Sequence, residues 1–140
     1  MYLLDTNVIT QLMRLTPNPG VSAFFKQAKT SKQPLYLSVL TIGEIEKGIA
    51  KLIKSNDSKQ AEHLKHKLQV ITQEYESFII PIDTDVSTVW GTILANTDDT
   101  NAIDKLIAAT AAVYGLTVVT RNIKHIQPTG VTCLNPFTYD

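Results

Sequence analysis

The sequence predicts one α/β domain of 140 residues, in which helices cover both faces of a mostly parallel sheet of four to five strands. Short apolar or β-branched runs, typical of buried strands, occur at five places along the chain. Between these runs, apolar residues recur at helical spacing, so strands and helices alternate. Such alternation is typical of parallel sheets, because crossover helices join their strands.

The first predicted strand is the most distinctive one. It begins almost with the first residue and ends abruptly at Asp5. In an open α/β sheet, ligands bind beyond the carboxyl ends of the strands, so the Asp5 carboxylate would face such a crevice. The commoner role of an Asp at this point is to cap the next helix. The five predicted strands cover residues 2–4, 35–39, 78–80, 117–120 and 131–134.

The predicted helices differ in how much of their surface is apolar. Residues 103–114 are apolar around nearly the whole circumference, which predicts a helix buried against several neighbours and ended by Gly115. The helix predicted over residues 58–75 instead directs most of its Lys side chains outward. Asp83 is expected to cap a helix. Helices are predicted to begin near residues 6, 21, 41, 58, 84, 103 and 122, the first of them ending near residue 15.

The charges of the chain cancel overall but are unevenly distributed. Thirteen basic and thirteen acidic side chains give no net charge, which supplies no argument for nucleic-acid binding. Residues 46–67 contain six Lys and three acids, whereas residues 74–104 contain seven acids and no Lys or Arg. One sector is therefore basic and another acidic.

The single cysteine, Cys133, excludes an intrachain disulfide and favours a reducing compartment. Its default role is that of a small buried apolar residue. The N-terminus has no basic leader, so no signal peptide is expected. The longest apolar-leaning segment, residues 106–119, is shorter than the roughly 18 residues of a membrane span. We expect a cytoplasmic protein without a membrane partner.

Four polar residues stand where the predicted topology can bring them to one edge of the sheet: Asp5, Glu44, Asp104 and Asn122. Glu44 also fits a capping box with Thr41, and spacing alone favours that role. The apolar neighbours of Asp104 predict deep burial, where an unpaired carboxylate is costly. For Asp104, a helix-capping role and a metal-ligand role are equally supported.

The residue types narrow the possible chemistry. No Cys/His cluster has zinc spacing, and no Gly-rich loop could bind a nucleotide phosphate. An all-oxygen site of about three carboxylates suits Mg²⁺, for which Mn²⁺ can substitute, and such sites serve phosphoryl transfer. Five other polar residues are expected at the solvent-exposed surface: His63, His66, Asp98, Asp99 and His125.

Four segments carry a resemblance to a known family. They are YLLDTNVI (2–9), LSVLTIGEIEKGI (37–49), IDKLIAATAAVYGLTVVTRN (103–122) and LNPF (134–137). In this order they resemble the PIN-domain ribonucleases, and most closely the VapC or FitB-like toxins of bacterial type II toxin–antitoxin pairs. The resemblance covers nearly the whole chain and implies a single PIN domain, a PIN-like three-layer sandwich.

The resemblance also implies roles for individual residues. Asp5, Glu44 and Asp104 correspond to the acidic metal-binding positions, which reverses the capping-box preference at Glu44. Supporting roles are implied for three polar neighbours: Thr6, Asn7 and Thr120.

Several positions depart from the family pattern. The family's fourth acid is here Asn122, a weaker cation ligand, and His125 replaces an Asp that is common among relatives. The segment between Trp90 and Asp104 is short for the family, and Asp99 could supply the missing charge. We therefore predict one firmly held Mg²⁺ rather than two.

The function predicted from this reasoning is a Mg²⁺-dependent endoribonuclease that acts as the toxin of a toxin–antitoxin system. Asp5, Glu44, Asp104 and Asn122 would form the catalytic site. Arg121 and Lys47, with other Lys residues of the same helix, would contact phosphates of single-stranded or looped RNA.

Partners are implied by the resemblance alone. It implies a homodimer and a small antitoxin that occludes the cleft. The alternative function is a non-catalytic PIN-fold module that binds RNA or protein, which the neutral Asn122 favours.

Overall fold

Five short strands form the centre of the molecule, which a computed structural model describes over residues 1–138. The strands are β1 (Tyr2–Leu4), β2 (Leu35–Ser38), β3 (Ile79–Ile80), β4 (Thr117–Val119) and β5 (Cys133–Leu134). They lie in the order β3-β2-β1-β4-β5, and every neighbouring pair is parallel. The predicted parallel α/β sheet is confirmed.

Seven α-helices within residues 1–138 surround the sheet. They are α1 (Thr6–Leu12), α2 (Pro19–Thr30), α3 (Val39–Lys54), α4 (Ser58–Glu74), α5 (Thr84–Asn96), α6 (Ala102–Tyr114) and α7 (Ile123–Ile126). In this described part of the chain, none of the helices has both the length and the apolar surface needed to cross a bilayer.

Alternate residues of the central strands face opposite layers of helices. Leu4 and Val119 pack in a core formed with α1, α2, α3 and α4. Leu3 and Val118 pack in a second core formed with α6 and α7. The alternation follows from the two-residue period of a strand. It gives the three layers, helix, sheet and helix, that the sequence predicts.

Helix α6 is the most deeply buried helix, as its sequence predicts. It lies between the sheet and α5, so that residues 105–111 are all buried. Gly115 ends the helix in the left-handed conformation, with φ of +66°. This burial fixes the N-terminal turn of α6, including Asp104, at one edge of the sheet.

Several predicted boundaries are wrong by a few residues. Helix α1 ends at Leu12, not near residue 15, because the following turn leaves the core: Leu15 is fully exposed. Helix α2 begins two residues earlier than predicted, where the Asn18 side chain accepts hydrogen bonds from two backbone N–H groups. Each strand is as long as predicted or shorter. Cys133 is only partly buried, at the edge of the second core.

The close approach of α2 to the C-terminal segment depends on Gly20. A Cβ atom at this position would lie 2.5 Å from the backbone carbonyl oxygen of Pro136. We predict that Gly20→Ala lowers the free energy of unfolding by about 1–3 kcal/mol, because backbone atoms must move to accommodate the methyl group. Chemical denaturation measures this change.

Gly91→Ala is the matched control. Gly91 lies inside helix α5, and a Cβ there would meet no atom within 4 Å. We expect this variant to be more stable than the wild type by roughly 0.5–1 kcal/mol. Equal effects of the two substitutions would contradict the close packing at Gly20.

Candidate active site

Asp5 lies directly after β1, where the backbone leaves the sheet and enters α1. Its side chain is only 3% exposed. One carboxylate oxygen accepts a hydrogen bond from the Thr6 backbone N–H at 2.8 Å. The other accepts hydrogen bonds from the Thr120 hydroxyl at 2.8 Å and from the Asn7 side-chain amide at 3.3 Å. Asp5 therefore caps α1 and also faces the crevice at the strand ends.

Glu44 is turned toward the start of α1. The Thr6 hydroxyl donates a hydrogen bond to Glu44 Oε1 at 2.6 Å and lies 3.2 Å from Thr41 Oγ1. The capping box predicted for Thr41 and Glu44 is wrong, because α3 begins earlier and Ser38 caps it through the Leu40 backbone N–H. The Glu44 carboxylate is consequently available to the crevice.

Asp104 reaches the same crevice from the first turn of α6. Its Oδ2 lies 2.6 Å from Nδ1 of His125, a residue of α7. The Asp104 side chain is 21% exposed, so the predicted deep burial is wrong. The apolar residues around it in sequence belong to the buried sides of α6, whereas its own side projects beyond the edge of the sheet.

His125 is a site residue that sequence reasoning missed. It was expected at the exposed surface, yet it pairs with Asp104 across 21 residues of sequence. One signal for it was available. Residues Ile123–Ile126 form a short helix directly after Asn122, which keeps His125 near the end of β4.

Negative charge in the crevice disfavours ionisation of Asp5. The pKa of Asp5 is raised above its ordinary value of 3.8, first by burial and then by the negative charges of Asp104 and Glu44. Hydrogen bonds from Thr120 and Thr6 act in the opposite direction. The three acids are therefore close enough to repel one another.

The raised pKa of Asp5 has a consequence for stability. Above pH 3.8 the folded protein binds more protons at Asp5 than the unfolded chain does. The stability contributed by protonated Asp5 is present below pH 3.8 and is lost as the pH rises through the raised pKa. At neutral pH the ionised carboxylate thus lowers stability unless a cation compensates it.

The three carboxylates are donors of the type that hard divalent cations prefer, but their present arrangement does not hold one. Within residues 1–138, no Lys or Arg side chain pairs with Asp5, Glu44 or Asp104. In the same part of the chain, no three His, Cys, Asp or Glu side chains stand close enough together to hold a metal ion. A cation bound by all three carboxylates would require Glu44 and Asp104 to turn from their partners toward Asp5.

Thr120 connects Asp5, which follows β1, to the segment that follows β4. It is fully buried, and its hydroxyl accepts a hydrogen bond from the Asn122 backbone N–H at 2.9 Å while donating to Asp5. The Asn7 side chain bridges the same elements, because its Oδ1 accepts from the Arg121 backbone N–H at 3.1 Å. The structure thus brings Asn7 and Thr120 into contact with Asp5, and the backbone of Asn122 into contact with Thr120.

The two basic residues predicted to contact substrate lie in different grooves. Lys47 is exposed on α3, where it lines a largely apolar groove of about 380 Å³ together with Glu44 and Ile103. Arg121 is exposed after β4, and its guanidinium carbon lies 3.9 Å from the centre of the Phe137 ring.

The loop before α6 is fixed by a buried lysine that sequence reasoning did not single out. Lys105 is 4% exposed, and its ammonium group donates to the backbone oxygen of Asp98 at 2.7 Å and to the Asp98 carboxylate at 2.9 Å. Asp98 is exposed, as expected, and its pairing with Lys105 was not predicted. Asp99 is exposed in the same loop.

A parallel five-stranded sheet with an acidic crevice at its carboxyl edge defines the class of protein, and comparison with known families specifies it. The PIN domain family matches residues 2–129. The chain therefore belongs to the PIN-domain family, and the predicted family is confirmed.

Within this family, the chain is similar to toxins. It is 32% identical to Toxin FitB of Neisseria gonorrhoeae, over 98% of this chain and 99% of that protein. It is 28% identical to VapC ribonuclease Y4jK of Sinorhizobium fredii, over 98% of both chains. The crystal structure of FitAcB from Neisseria gonorrhoeae superposes with a TM-score of 0.86, at 32% identity and 99% coverage of each chain.

The hydrogen bond from Thr120 to Asp5 predicts a role for this hydroxyl in cation binding. We predict that Thr120→Val lowers the affinity for Mn²⁺ roughly 10–100-fold, because Asp5 loses a partner that orients its carboxylate. Calorimetric titration with Mn²⁺ measures the affinity.

Thr110→Val provides the control. Thr110 is also fully buried, but its hydroxyl donates only to a backbone carbonyl of its own helix. This variant should bind Mn²⁺ as the wild type does. The same affinity in both variants would contradict the role of Thr120.

Proposed function

We propose that this chain is a metal-dependent endoribonuclease and the toxin of a toxin–antitoxin pair. The observation that carries the proposal is the buried Asp5 carboxylate, whose pKa is raised partly by the neighbouring charges of Glu44 and Asp104. Burying one carboxylate beside two like charges is unfavourable, so such an arrangement persists best where a bound cation compensates it. The similarity of the chain to a VapC ribonuclease supports the nuclease activity, and its similarity to Toxin FitB supports the toxin role.

Mg²⁺, with Mn²⁺ as a substitute, is the cation that suits these donors. Asp5, Glu44 and Asp104 would hold it, since carboxylate oxygens are the ligands that hard divalent cations prefer. When bound, the cation polarises a phosphodiester oxygen and lowers the pKa of the attacking water.

The protein side chains would position the substrate around this centre. Thr120 orients the Asp5 carboxylate through a hydrogen bond, whereas Glu44 would have to leave its hydrogen bond with Thr6 to reach the cation. Arg121 and Lys47 would contact phosphates on either side of the scissile bond. The neutral Asn122 amide would contact the substrate or the cation without adding charge.

Single-stranded or looped RNA is the substrate class that suits the crevice. Asp5 is buried at the edge of the sheet and the Asp104 side chain is 21% exposed, so a duplex would have to deform to bring one phosphate to them. Unpaired strands reach such a recess more readily, and sequence-specific RNA recognition mostly targets them.

The partners proposed are a small antitoxin and a second copy of the chain. An antitoxin that places a basic side chain among the acids would neutralise them and occlude the crevice at the same time. The name of Toxin FitB supports the toxin role. We place the protein in the cytoplasm, where its RNA substrate would be found.

A non-catalytic RNA-binding or protein-binding module is the second candidate. Two observations favour it: Asn122 is neutral, and Glu44 and Asp104 each have a protein partner already. Such a module has no need to bind a cation.

Asp5→Asn distinguishes the two candidates. We predict that Mn²⁺-dependent cleavage of single-stranded RNA by this variant falls roughly 100-fold or more. This loss exceeds the roughly 10–100-fold typical when a residue that only hydrogen-bonds to a metal ligand is replaced. Cleavage is followed by gel electrophoresis of a labelled RNA, and Mn²⁺ binding by calorimetry.

Glu62→Gln removes one negative charge from the exposed surface of α4 and should leave both measurements unchanged. If the wild type neither binds Mn²⁺ nor cleaves RNA, the nuclease proposal is wrong and the binding module is favoured.

A further inference from the structure

We propose that a cavity next to Asp104 binds a second phosphate of the RNA strand, adjacent to the phosphodiester that is cleaved. This inference rests on the proposed nuclease function and adds a subsite to it. The cavity has a volume of about 440 Å³. We name it the cationic cleft, and its lining includes Arg121, Asn122, Lys124, His125 and Asn135.

The charge of the cationic cleft contrasts with that of the neighbouring crevice. No acid occurs between Asp104 and Asp140, and every charged residue from 105 to 138 is basic. Arg121 and Lys124 are both exposed at the cleft. The cleft therefore attracts an anion, while the crevice beside it carries the carboxylates of Asp5, Glu44 and Asp104.

Arg121 is held in place by contacts that leave its donors free. Its guanidinium group stacks on Phe137, and its backbone N–H donates to Asn7. Stacking restricts the side chain without using its N–H groups, and within residues 1–138 Arg121 has no acidic partner. A stacked guanidinium loses less conformational entropy when it binds a phosphate with two parallel hydrogen bonds.

Phe137 is itself fixed by the C-terminal turn. The Asn135 side chain accepts a hydrogen bond from the Phe137 backbone N–H at 3.0 Å. The backbone of this turn also lies against Gly20 of α2. The ring that supports Arg121 is therefore part of the packed structure.

Two hydrogen-bonded connections link the cleft to the acids. The first is His125, which lies between them: its Nδ1 is 2.6 Å from Asp104, and its side chain is 39% exposed. The second runs from the Asn122 backbone through Thr120 to Asp5. A phosphate in the cleft would thus be a neighbour of a phosphodiester at the carboxylates, as two consecutive phosphates of one strand are.

The test measures binding of a short single-stranded RNA to the full chain. A metal chelator is present, so that no metal-dependent cleavage takes place. Lys124→Gln and Arg121→Gln should each reduce the slope of log affinity against log salt concentration by about 0.7, the value for one lost contact with a single strand. Lys65→Gln, an exposed Lys on α4, should leave the slope unchanged.

A neutral methylphosphonate linkage, moved along the RNA, locates the contact. At one position it should weaken binding to the wild type and to Lys65→Gln, and should weaken binding to Lys124→Gln and Arg121→Gln less, because each has already lost one contact with that phosphate. Circular dichroism checks that the variants are folded, which the exposure of both side chains favours.

The proposal is overturned if the cleft variants keep the salt dependence of the wild type, or if Lys65→Gln loses as much affinity as they do. Because binding is measured without cleavage, the outcome is independent of the nuclease proposal. A wild-type chain that shows this pattern but cleaves no RNA with Mn²⁺ would refute the nuclease and retain the phosphate site.

Discussion

The constraint that organises this protein is the burial of the Asp5 carboxylate beside two other acids. Its nearest partners are neutral donors, the Thr6 backbone, the Thr120 hydroxyl and the Asn7 amide. These donors orient the carboxylate and favour its ionised form, but they do not cancel its charge. The negative charges of Glu44 and Asp104 oppose ionisation further. Within residues 1–138 no Lys or Arg side chain pairs with these acids, and we propose that a cation compensates their charge.

The fold produces this arrangement by bringing separate chain segments to one edge of the sheet. Asp5 continues the pairing of β1 with β4, since its backbone N–H donates to the Val119 carbonyl at 2.9 Å. Helix α3 presents Glu44 beside it, and the buried helix α6 presents Asp104. The segment after β4 then places basic residues next to these acids. A negative crevice and a cationic cleft thus share one backbone framework, which suits a polyanion that must approach carboxylates.

The sheet, the buried helix α6 and the position of Asp5 could be predicted from the sequence, because each leaves a local pattern. The strands are apolar runs, α6 is apolar around nearly its whole circumference, and Asp5 directly follows a strand. The sequence was insufficient for contacts set by the packing of distant segments. The pairing of His125 with Asp104 depends on where α7 lies relative to α6. Spacing alone favoured a capping box at Glu44, which the family resemblance reversed, because Thr41 and Ser38 both suit a helix start and only packing distinguishes them. The roles of the site residues remain predictions.

The central claim is that a bound cation compensates the charge of the buried Asp5 carboxylate. The most direct test compares the free energy of unfolding of the wild type with that of Asp5→Asn, each in a metal chelator and in Mg²⁺. Asn caps a helix as well as Asp does, so the substitution mainly removes charge. At neutral pH in chelator the account predicts that Asp5→Asn is the more stable protein. With Mg²⁺ the wild type alone should gain stability. A wild type that is more stable than Asp5→Asn in chelator and indifferent to Mg²⁺ would contradict the account.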